Sequence, residues 1–196
     1  MMREAPVHGA IVLAAGTSGR LGRSKQLLRY QGETLVRRAV RLALETQPRD
    51  AIVVVGADAD SVHASVADLP VRRIDCANWR RGMGVSLRAG LDALSPACAG
   101  ALVVLVDQPA LDAAHLQRLC TAWREHPERA VASAYAGRLG VPALLPQEWY
   151  GDLHDDERGA GPLLARRADR VVSIENPRLA WDIDSERDLH DAFDEQ

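Results

Sequence analysis

Aromatic residues, cysteines and long apolar runs are scarce in this 196-residue sequence. Phe, Tyr and Trp make up 4% of it, and the 24 Lys and Arg are scattered among 27 Asp and Glu, so no surface for nucleic acid is expected. No segment approaches the roughly 20 consecutive apolar residues that span a membrane. The first ten residues contain no apolar segment of signal-peptide length, and we therefore expect a cytoplasmic protein with neither a nucleic-acid nor a membrane partner.

The cysteines and histidines lack the spacings that are typical of disulfide scaffolds and metal sites. Cys76, Cys98 and Cys120 are odd in number and form no C-x-x-C pair, which excludes a disulfide framework and offers no zinc pattern. We predict that Cys98 and Cys120 pack in the interior. No G-x-S-x-G elbow supports a Ser–His–Asp triad, although the six histidines leave such a triad open.

Short apolar runs alternate with segments of helical periodicity along the chain. The runs predict strands at 11–13, 52–55, 71–74, 101–106, 130–134 and 171–174, with helices at about 34–46, 58–67, 83–94 and 112–125. Thr34, Asp58 and Asp112 are the candidate N-caps. Near-continuous apolar strands separated by helices predict an α/β fold: a single doubly wound, mostly parallel sheet with helices on both faces, in one domain spanning 1–196.

The first predicted strand is followed by a segment of small and cationic residues. Gly16, Gly19 and Gly22 recur at every third position, with Arg20 and Lys25 among and after them. Glycines let a backbone approach a ligand closely, inward N–H groups bind anions, and the cations add full charge. The spacing is neither that of a Walker A loop nor that of the dinucleotide fingerprint. We interpret the segment as a nucleotide-phosphate site, with a plain glycine-rich turn as the alternative.

Residues 13–25, LAAGTSGRLGRSK, resemble the L-A-A-G-x-S-x-R-x-G-x-x-K signature of sugar-nucleotide-type nucleotidyltransferases, with every fixed position filled. Within them, the segment is most similar to the molybdenum cofactor guanylyl- and cytidylyltransferases, the MobA-like group. The resemblance implies a Rossmann-like nucleotidyltransferase fold whose loop wraps a nucleoside triphosphate, with Arg20 and Lys25 as catalytic cations on its phosphates. The nucleotide-binding residues implied here are Leu13, Ala14, Ala15, Gly16, Thr17, Ser18, Gly19, Arg20 and Lys25.

Asp107 follows the strongest apolar run of the chain, at the start of the string Asp107-Gln108-Pro109. Open α/β sheets bind ligands outside the carboxyl ends of their strands, and Mg²⁺ takes one or two carboxylates together with phosphate oxygens and water. We therefore predict that Asp107 is a catalytic metal ligand, with a turn or N-cap role as the alternative. The D-Q-P string is also what the cytidylyltransferase branch of the resembling family carries at its metal-binding aspartate.

A second carboxylate is expected in the acid-rich stretch that begins at residue 182. Asp182 and Asp184 alternate onto one face of an extended segment. DIDSERDL resembles the D-x-D-[ST]-x-x-D-L close of the family, and the resemblance implies Asp184 as the metal ligand, with Asp182 as the alternative. A solvated acidic tail is the alternative for the whole run.

The segment 78–87, NWRRGMGVSL, contains groups that can contact a base. Asn78 and Ser86 can hydrogen-bond a base edge, and Gly82 permits close backbone approach. The segment is similar, with one residue fewer between the asparagine and the glycine, to the N-x-x-x-x-G-M-x-x-S-L segment that contacts base and ribose in the resembling family. Asn78, Gly82, Met83 and Ser86 are therefore predicted nucleotide contacts.

The acceptor is expected in the second part of the chain, about 111–184, and the nucleotide in about 8–110. Gly140 and Pro142 match a G-x-P of the resembling family. The segment 156–164 matches only partly, because Gly161 stands where the family has arginine, and Arg158 can take its place in space. The predicted acceptor-binding residues are Gln108, Pro109, Gly140, Pro142 and Arg158.

These motifs predict attack of an acceptor phosphate on the α-phosphorus of a nucleoside triphosphate, aided by Mg²⁺ on Asp107 and Asp184. The resemblance favours CTP over GTP and implies molybdopterin as acceptor, with a molybdoenzyme or its chaperone as a further partner. Three alternatives stay open. They are transfer to a sugar or polyol phosphate, a non-catalytic module that delivers a cofactor, which Gly161 favours, and a nicotinamide-dependent oxidoreductase.

Overall fold

The structure, a computed structural model, describes residues 5–17, 24–154 and 159–181, which form a seven-stranded sheet with flanking helices and a separate two-stranded sheet. The strands are β1 (His8–Ala14), β2 (Arg29–Tyr30), β3 (Glu33–Thr34), β4 (Ala51–Val55), β5 (Arg72–Asp75), β6 (Gly100–Leu105), β7 (Ala130–Tyr135), β8 (Arg138–Pro146) and β9 (Val171–Glu175). The helices are α1 (Leu35–Leu44), α2 (Ala59–Ala64), α3 (Met83–Ala93), α4 (Ala113–Glu125) and α5 (Gly161–Arg166). No helix among these described residues is long and apolar enough to cross a membrane.

The large sheet has the strand order β5-β4-β1-β6-β8-β7-β9. Its strands run parallel to one another except for β8, which pairs antiparallel with both β6 and β7. The prediction of a doubly wound, mostly parallel α/β sheet is therefore confirmed. Strands β7 and β8 form a hairpin whose two loop residues, Ala136 and Gly137, both have positive φ angles of 50° and 72°.

Strand β8 is absent from the strands that the apolar runs of the sequence predict. Its apolar run is interrupted by Gly140, Pro142 and Pro146, and proline is disfavoured inside sheets because it cannot donate to the ladder. The structure accommodates Pro142 at a register shift, where the pairing jumps from Ala132 and its partner Ala143 to Ser133 and its partner Gly140. Because Pro142 is one of the residues that this bulge leaves unpaired, no hydrogen bond between β7 and β8 requires the N–H that proline lacks.

Apolar side chains alternate from β1 to the two faces of the sheet. Val12 and Ala14 belong to the cluster that includes α1 and α4, whereas Ile11 and Leu13 belong to the cluster that includes α3 and α5. Both faces of β1 are therefore covered, as expected for a strand with an unbroken apolar run.

The predicted helix caps are partly confirmed. Thr34 Oγ1 accepts a hydrogen bond from the backbone N–H of Arg37, and Asp112 Oδ1 accepts one from the backbone N–H of His115. Asp58 occupies the N-cap position of α2, but its side chain makes no capping bond because its backbone is left-handed, with φ at 51°, instead of extended. The predicted interior packing of Cys98 and Cys120 is confirmed, since both are buried.

Candidate active site

A cavity of about 370 Å³, the first cavity, opens at the carboxyl ends of β1 and β6. It brings together three stretches that are distant in sequence: the loop after β1, the start of α3 with the turn before it, and the residues after β6. Its described lining consists of Leu13, Ala15, Gly16, Thr17, Lys25, Gln26, Trp79, Arg80, Gly82, Met83, Ser86, Leu105, Val106 and Asp107. Ligands of open parallel sheets bind at this kind of edge.

An ion pair joins the glycine loop to the end of β6. Lys25 Nζ lies 2.8 Å from Asp107 Oδ2, and the two side chains are only 17% and 20% exposed. Limited solvent access strengthens the interaction of each charge with any partner, whether a side chain or a ligand. The pair therefore presents an ammonium group and a carboxylate at one wall of the cavity, 82 residues apart in sequence.

The side chain of Gln26, which is 1% exposed, anchors the loop after β1 through hydrogen bonds. Its Nε2 donates to the carbonyl oxygens of Ala14 at 3.2 Å and Gly16 at 2.6 Å, and its Oε1 accepts from Ser24 Oγ at 2.7 Å. The carbonyl between them, that of Ala15, accepts from a backbone N–H in the loop after β4. Three consecutive carbonyls are thus directed into the protein. Gln26 was not among the site residues predicted from the sequence. The available signal was a polar amide side chain followed directly by two leucines.

Helix α3 begins at the cavity without a side-chain cap. Its N-cap residue, Gly82, has φ at 123° and ψ at 177°, a conformation that other residues rarely adopt. The uncapped first-turn amides and the helix dipole favour an anion or a hydrogen-bond acceptor there. Ser86, one turn into the helix, is buried with its Oγ 3.8 Å from Cys76 Sγ.

Trp79 forms another wall of the first cavity, a role that sequence analysis did not assign. A Cβ at Gly56 would lie 2.5 Å from Trp79 Cδ1 and 2.8 Å from the carbonyl oxygen of Ala15, so only glycine leaves room for the indole beside the loop. The guanidinium carbon of Arg80 lies 4.4 Å from the centre of the indole, within cation–π range. Gly56 therefore determines how closely this wall approaches the glycine loop.

A second cavity of about 800 Å³ adjoins the first. Its described lining consists of Met83, Leu105, Tyr135, Gly137, Arg138, Leu139, Gly140, Val141, Ala160, Gly161, Pro162, Ala165 and Ala168. Arg138 is the one charged side chain within this described lining, and its guanidinium carbon lies 5.6 Å from the ring centre of Tyr135. The cavity thus combines an apolar floor of small residues with a single cation.

The predicted site residues separate into three groups. Those that line the first cavity are Leu13, Ala15, Gly16, Thr17, Lys25, Gly82, Met83, Ser86 and Asp107, and Gly140 lines the second. Those placed elsewhere are Ala14, Asn78, Gln108, Pro109 and Pro142. Ser18, Gly19, Arg20, Arg158 and Asp184, together with the alternative ligand Asp182, lie outside the described residues.

The residues placed elsewhere have structural contacts in their described surroundings. Ala14 is buried on the opposite face of the sheet, and Asn78 is exposed outside the cavity lining. The buried Gln108 Nε2 donates to Tyr135 Oη and to the carbonyl oxygens of Val141 and Leu179 at 3.1–3.4 Å.

Two prolines and a buried histidine stabilise the elements behind the cavities. The Pro109 carbonyl accepts from Arg38 Nε at 3.3 Å, and the Pro142 carbonyl accepts from Ser133 Oγ at 2.7 Å. His115 Nε2 lies 2.8 Å from the same Ser133 Oγ, and burial together with nearby Arg118 lowers the pKa of His115 to about 4. This buried Ser–His pair stabilises the β7–β8 pairing and presents no accessible nucleophile.

The described residues contain no cluster of three or more His, Cys, Asp or Glu that could hold a metal by themselves. Asp107 is the described carboxylate that lines the first cavity. A single protein carboxylate is a donor set that fits Mg²⁺, which completes its octahedral shell with phosphate oxygens of a substrate and water. The donor set is unsuited to zinc, which prefers Cys and His ligands.

Known proteins resemble the chain over the region that builds the sheet and both cavities. The family model described as MobA-like NTP transferase domain matches residues 10–171. The chain is 38% identical over 143 residues to nicotine blue oxidoreductase of Paenarthrobacter nicotinovorans, covering 72% of this chain and 68% of that protein. It is 33% identical over 206 residues to a probable molybdenum cofactor guanylyltransferase of Opitutus terrae, covering 96% of each. The crystal structure of Rv0371c from Mycobacterium tuberculosis H37Rv superposes with a TM-score of 0.79 at 25% identity, covering 97% of this chain and 99% of that one.

Proposed function

The chain belongs to the MobA-like NTP transferase domain family, a family of nucleotidyltransferases, and we propose that it transfers CMP from CTP to a phosphorylated acceptor. An oxygen of the acceptor phosphate bonds to the α-phosphorus while the bond from that phosphorus to the leaving pyrophosphate breaks. The observation that carries the proposal is the contact of Lys25 Nζ with Asp107 Oδ2 at 2.8 Å beside the glycine loop. Positioning and charge stabilisation suffice for this chemistry, so no protein nucleophile is required.

Lys25 is assigned to the phosphates of the triphosphate. Its ammonium group already lies at the cavity wall, so a phosphate oxygen can replace the Asp107 carboxylate as its partner with little movement. The inward-directed carbonyls of the loop support contacts between the phosphates and loop amides. Arg20 is assigned to the leaving pyrophosphate, and Ser18 and Gly19 to the loop contacts, by the family signature alone.

Asp107 is assigned to a divalent cation, Mg²⁺. Its position beside Lys25 supports this assignment, because the proposed phosphates of the nucleotide would then lie next to one carboxylate. Asp184 is the proposed second ligand, with Asp182 as the alternative. When bound, the ion would supply Lewis-acid stabilisation of the charge that develops on the α-phosphate.

The base is assigned to the part of the first cavity between Ala15 and the start of α3. Ser86 Oγ and the first-turn amides of α3 supply hydrogen-bonding groups there. The methyl group of Ala15 narrows the cavity compared with a glycine, which favours a pyrimidine. GTP is the competing substrate, because the relative from Opitutus terrae is named a guanylyltransferase. The lining of the first cavity supports the proposal that the nucleotide binds in the part of the chain at about 8–110.

The acceptor is assigned to the second cavity, which is built largely from residues of the part at about 111–184. Molybdopterin is the proposed acceptor, with a sugar or polyol phosphate as the alternative, and Arg138 supplies a cation for an anionic group. A Cβ at Gly161 would meet no atom within 4 Å, so the absence of the family arginine leaves this cavity wide. The missing arginine also favours the alternative of a non-catalytic module that delivers a cofactor, which is one outcome of the experiment described below. The proposed recipient of the product is a molybdoenzyme or its chaperone.

A second candidate is the reduction of an organic acceptor by a nicotinamide nucleotide. One observation favours it, the 38% identity to a protein named nicotine blue oxidoreductase. In that reaction a hydride would pass from a nicotinamide ring to an acceptor in the second cavity, and neither Asp107 nor a metal would be needed.

The experiment is thermal unfolding with Mg²⁺ and each of CTP, GTP, ATP and UTP, with NADPH as a separate arm. A ligand at 100 times its Kd stabilises the folded state by about 2.7 kcal/mol, which is easily detected as a shift in Tm. Asp107→Ala tests the metal site. Asp68→Ala is the matched control, because this carboxylate also pairs with a cation, Arg37, but lines neither cavity.

We expect a shift with CTP and Mg²⁺ that survives in Asp68→Ala and disappears in Asp107→Ala. Pyrophosphate release with molybdopterin should then fall by orders of magnitude in Lys25→Ala and Asp107→Ala. A shift with GTP alone would change the assigned base. A shift with NADPH and with none of the triphosphates would replace the transferase proposal by the reductase.

A further inference from the structure

Met83 lies on the boundary between the two cavities. Among the described residues, it and Leu105 are the two that line both cavities. Leu105 belongs to the half-buried end of β6, whereas Met83 is the first residue of α3 and, at 38% exposed, is one of the two exposed large apolar residues among those described. Met83 therefore borders both cavities, and it belongs to none of the apolar clusters formed by the described residues.

Met83 packs against Gly159 on one side. A Cβ at position 159 would lie 2.9 Å from Met83 Sδ and 3.1 Å from its Cγ, so the glycine leaves the space that the thioether occupies. Gly159 also has a positive φ of 62°. The methionine is thus packed against the backbone at the entrance of α5, while its three flexible torsions leave it free to adapt towards a ligand.

The reaction proposed above requires the two substrates to meet at this boundary. The acceptor oxygen must come to within about 3–3.5 Å of the α-phosphorus for in-line attack. If the nucleotide occupies the first cavity and the acceptor the second, the path between them passes Met83. A thioether carries no charge and makes only weak hydrogen bonds, so it displaces water there without competing for either phosphate.

We propose that Met83 is a positioning residue that seats the acceptor against the α-phosphate and keeps water from taking its place. This role rests on the proposed transferase function. The reaction that it suppresses is hydrolysis: a water oxygen bonds to the α-phosphorus, the bond to pyrophosphate breaks, and the water proton passes to solvent. Loss of the thioether should therefore raise the rate of hydrolysis relative to the rate of transfer.

The experiment measures pyrophosphate release from Mg²⁺–CTP, first without acceptor and then over a range of molybdopterin concentrations. For Met83→Ala, we expect the acceptor KM to rise about fivefold, as loss of roughly 1 kcal/mol of acceptor contact would give, with kcat changed less than about twofold. Hydrolysis without acceptor should also rise about fivefold, because water then reaches the α-phosphorus more readily. Met83→Leu, which restores the apolar volume, should recover most of that loss.

Gly159→Ala tests the same contact from the other side, because its methyl group must displace the Met83 side chain. Gly32→Ala is the matched control, since Gly32 also has a positive φ, of 85°, but a Cβ there would meet nothing within 4 Å and lies in the β2–β3 turn. We expect Gly159→Ala to reproduce the Met83→Ala effect and Gly32→Ala to show only the stability cost of the backbone strain.

The outcomes distinguish failure of the role of Met83 from failure of the proposed function. If the wild-type protein transfers CMP but Met83→Ala and Gly159→Ala keep its hydrolysis rate and acceptor KM, the role of Met83 is refuted and the proposed function stands. If the wild-type protein releases no pyrophosphate with molybdopterin and any of the four triphosphates, the proposed function itself fails. A loss of kcat without a change in KM or hydrolysis would also overturn the positioning role.

Discussion

Replacing Gln26 by leucine should release the glycine loop while leaving the sheet intact. Leucine fills a similar volume but cannot donate to the carbonyl oxygens of Ala14 and Gly16, now bonded at 3.2 and 2.6 Å. A buried polar group that loses its partner costs about 1–3 kcal/mol, and the Gly16 carbonyl costs less because solvent reaches it in part. We therefore expect the free energy of unfolding to fall by about 2–4 kcal/mol.

The assay is urea unfolding followed by circular dichroism, together with the Kd of Mg²⁺–CTP. If about 1.4 kcal/mol of the loss lies in the loop alone, the Kd should rise about tenfold. Gln26→Glu provides an isosteric comparison, because a carboxylate oxygen facing two carbonyls is repelled and its pKa is raised. Its stability relative to wild type should improve as pH falls, since the protonated acid can again donate. An unchanged urea midpoint and Kd in Gln26→Leu would refute the anchoring role of Gln26.

Three further predictions concern the elements around the cavities. Burial lowers the pKa of His8 and His115 from 6.5 to about 4, so the unfolded chain binds more protons than the folded chain between these pH values. The free energy of unfolding, measured by urea unfolding, should therefore fall by about 2 kcal/mol per histidine from pH 7 to pH 5. A free energy of unfolding that does not change over this pH range would contradict the burial of the two histidines. Asp112→Ala should remove the N-cap of α4 and lower the free energy of unfolding by about 1 kcal/mol in the same assay. An unchanged free energy of unfolding would show that this cap does not stabilise the helix. Gly56→Ala should force Trp79 from the wall, costing about 1–3 kcal/mol of stability and weakening CTP binding in calorimetry; unchanged affinity would show that the indole is no part of the site.

The adjacent strands β4, β1 and β6 could be predicted because their sequences are locally unambiguous. The runs in β1, β4 and β6 are almost wholly apolar, and each lies within a few residues of its prediction. Strand β8 could not be predicted, because it tolerates Pro142 only through a bulge opposite Ala132 and Ser133. That information resides in the pairing of two strands and not in either sequence.

The candidate site was predictable as a set of segments but not as a set of side chains. The family signature covers Ala14 and Ala15 alike, yet consecutive strand residues face opposite sides of a sheet, and Ala14 packs towards α1. Gln26 and Gln108 lie next to signature residues, and their contacts depend on which distant carbonyls the fold brings near. A one-dimensional motif therefore identifies the neighbourhood, and the tertiary structure distributes the roles.

The reversed direction of β8 has a consequence for how such a protein can diversify. The parallel strands β1, β4, β5 and β6 are joined by connections that contain helices, so a change in one connection also disturbs the helices that cover the sheet. The second cavity is bordered instead by the β7–β8 hairpin, whose left-handed pair Ala136 and Gly137 is a local two-residue turn. Longer or differently charged hairpin tips can be exchanged there with the strand register kept. Under the proposed function, the hairpin tip is thus the position at which acceptor choice can be re-engineered without changing the residues that line the first cavity.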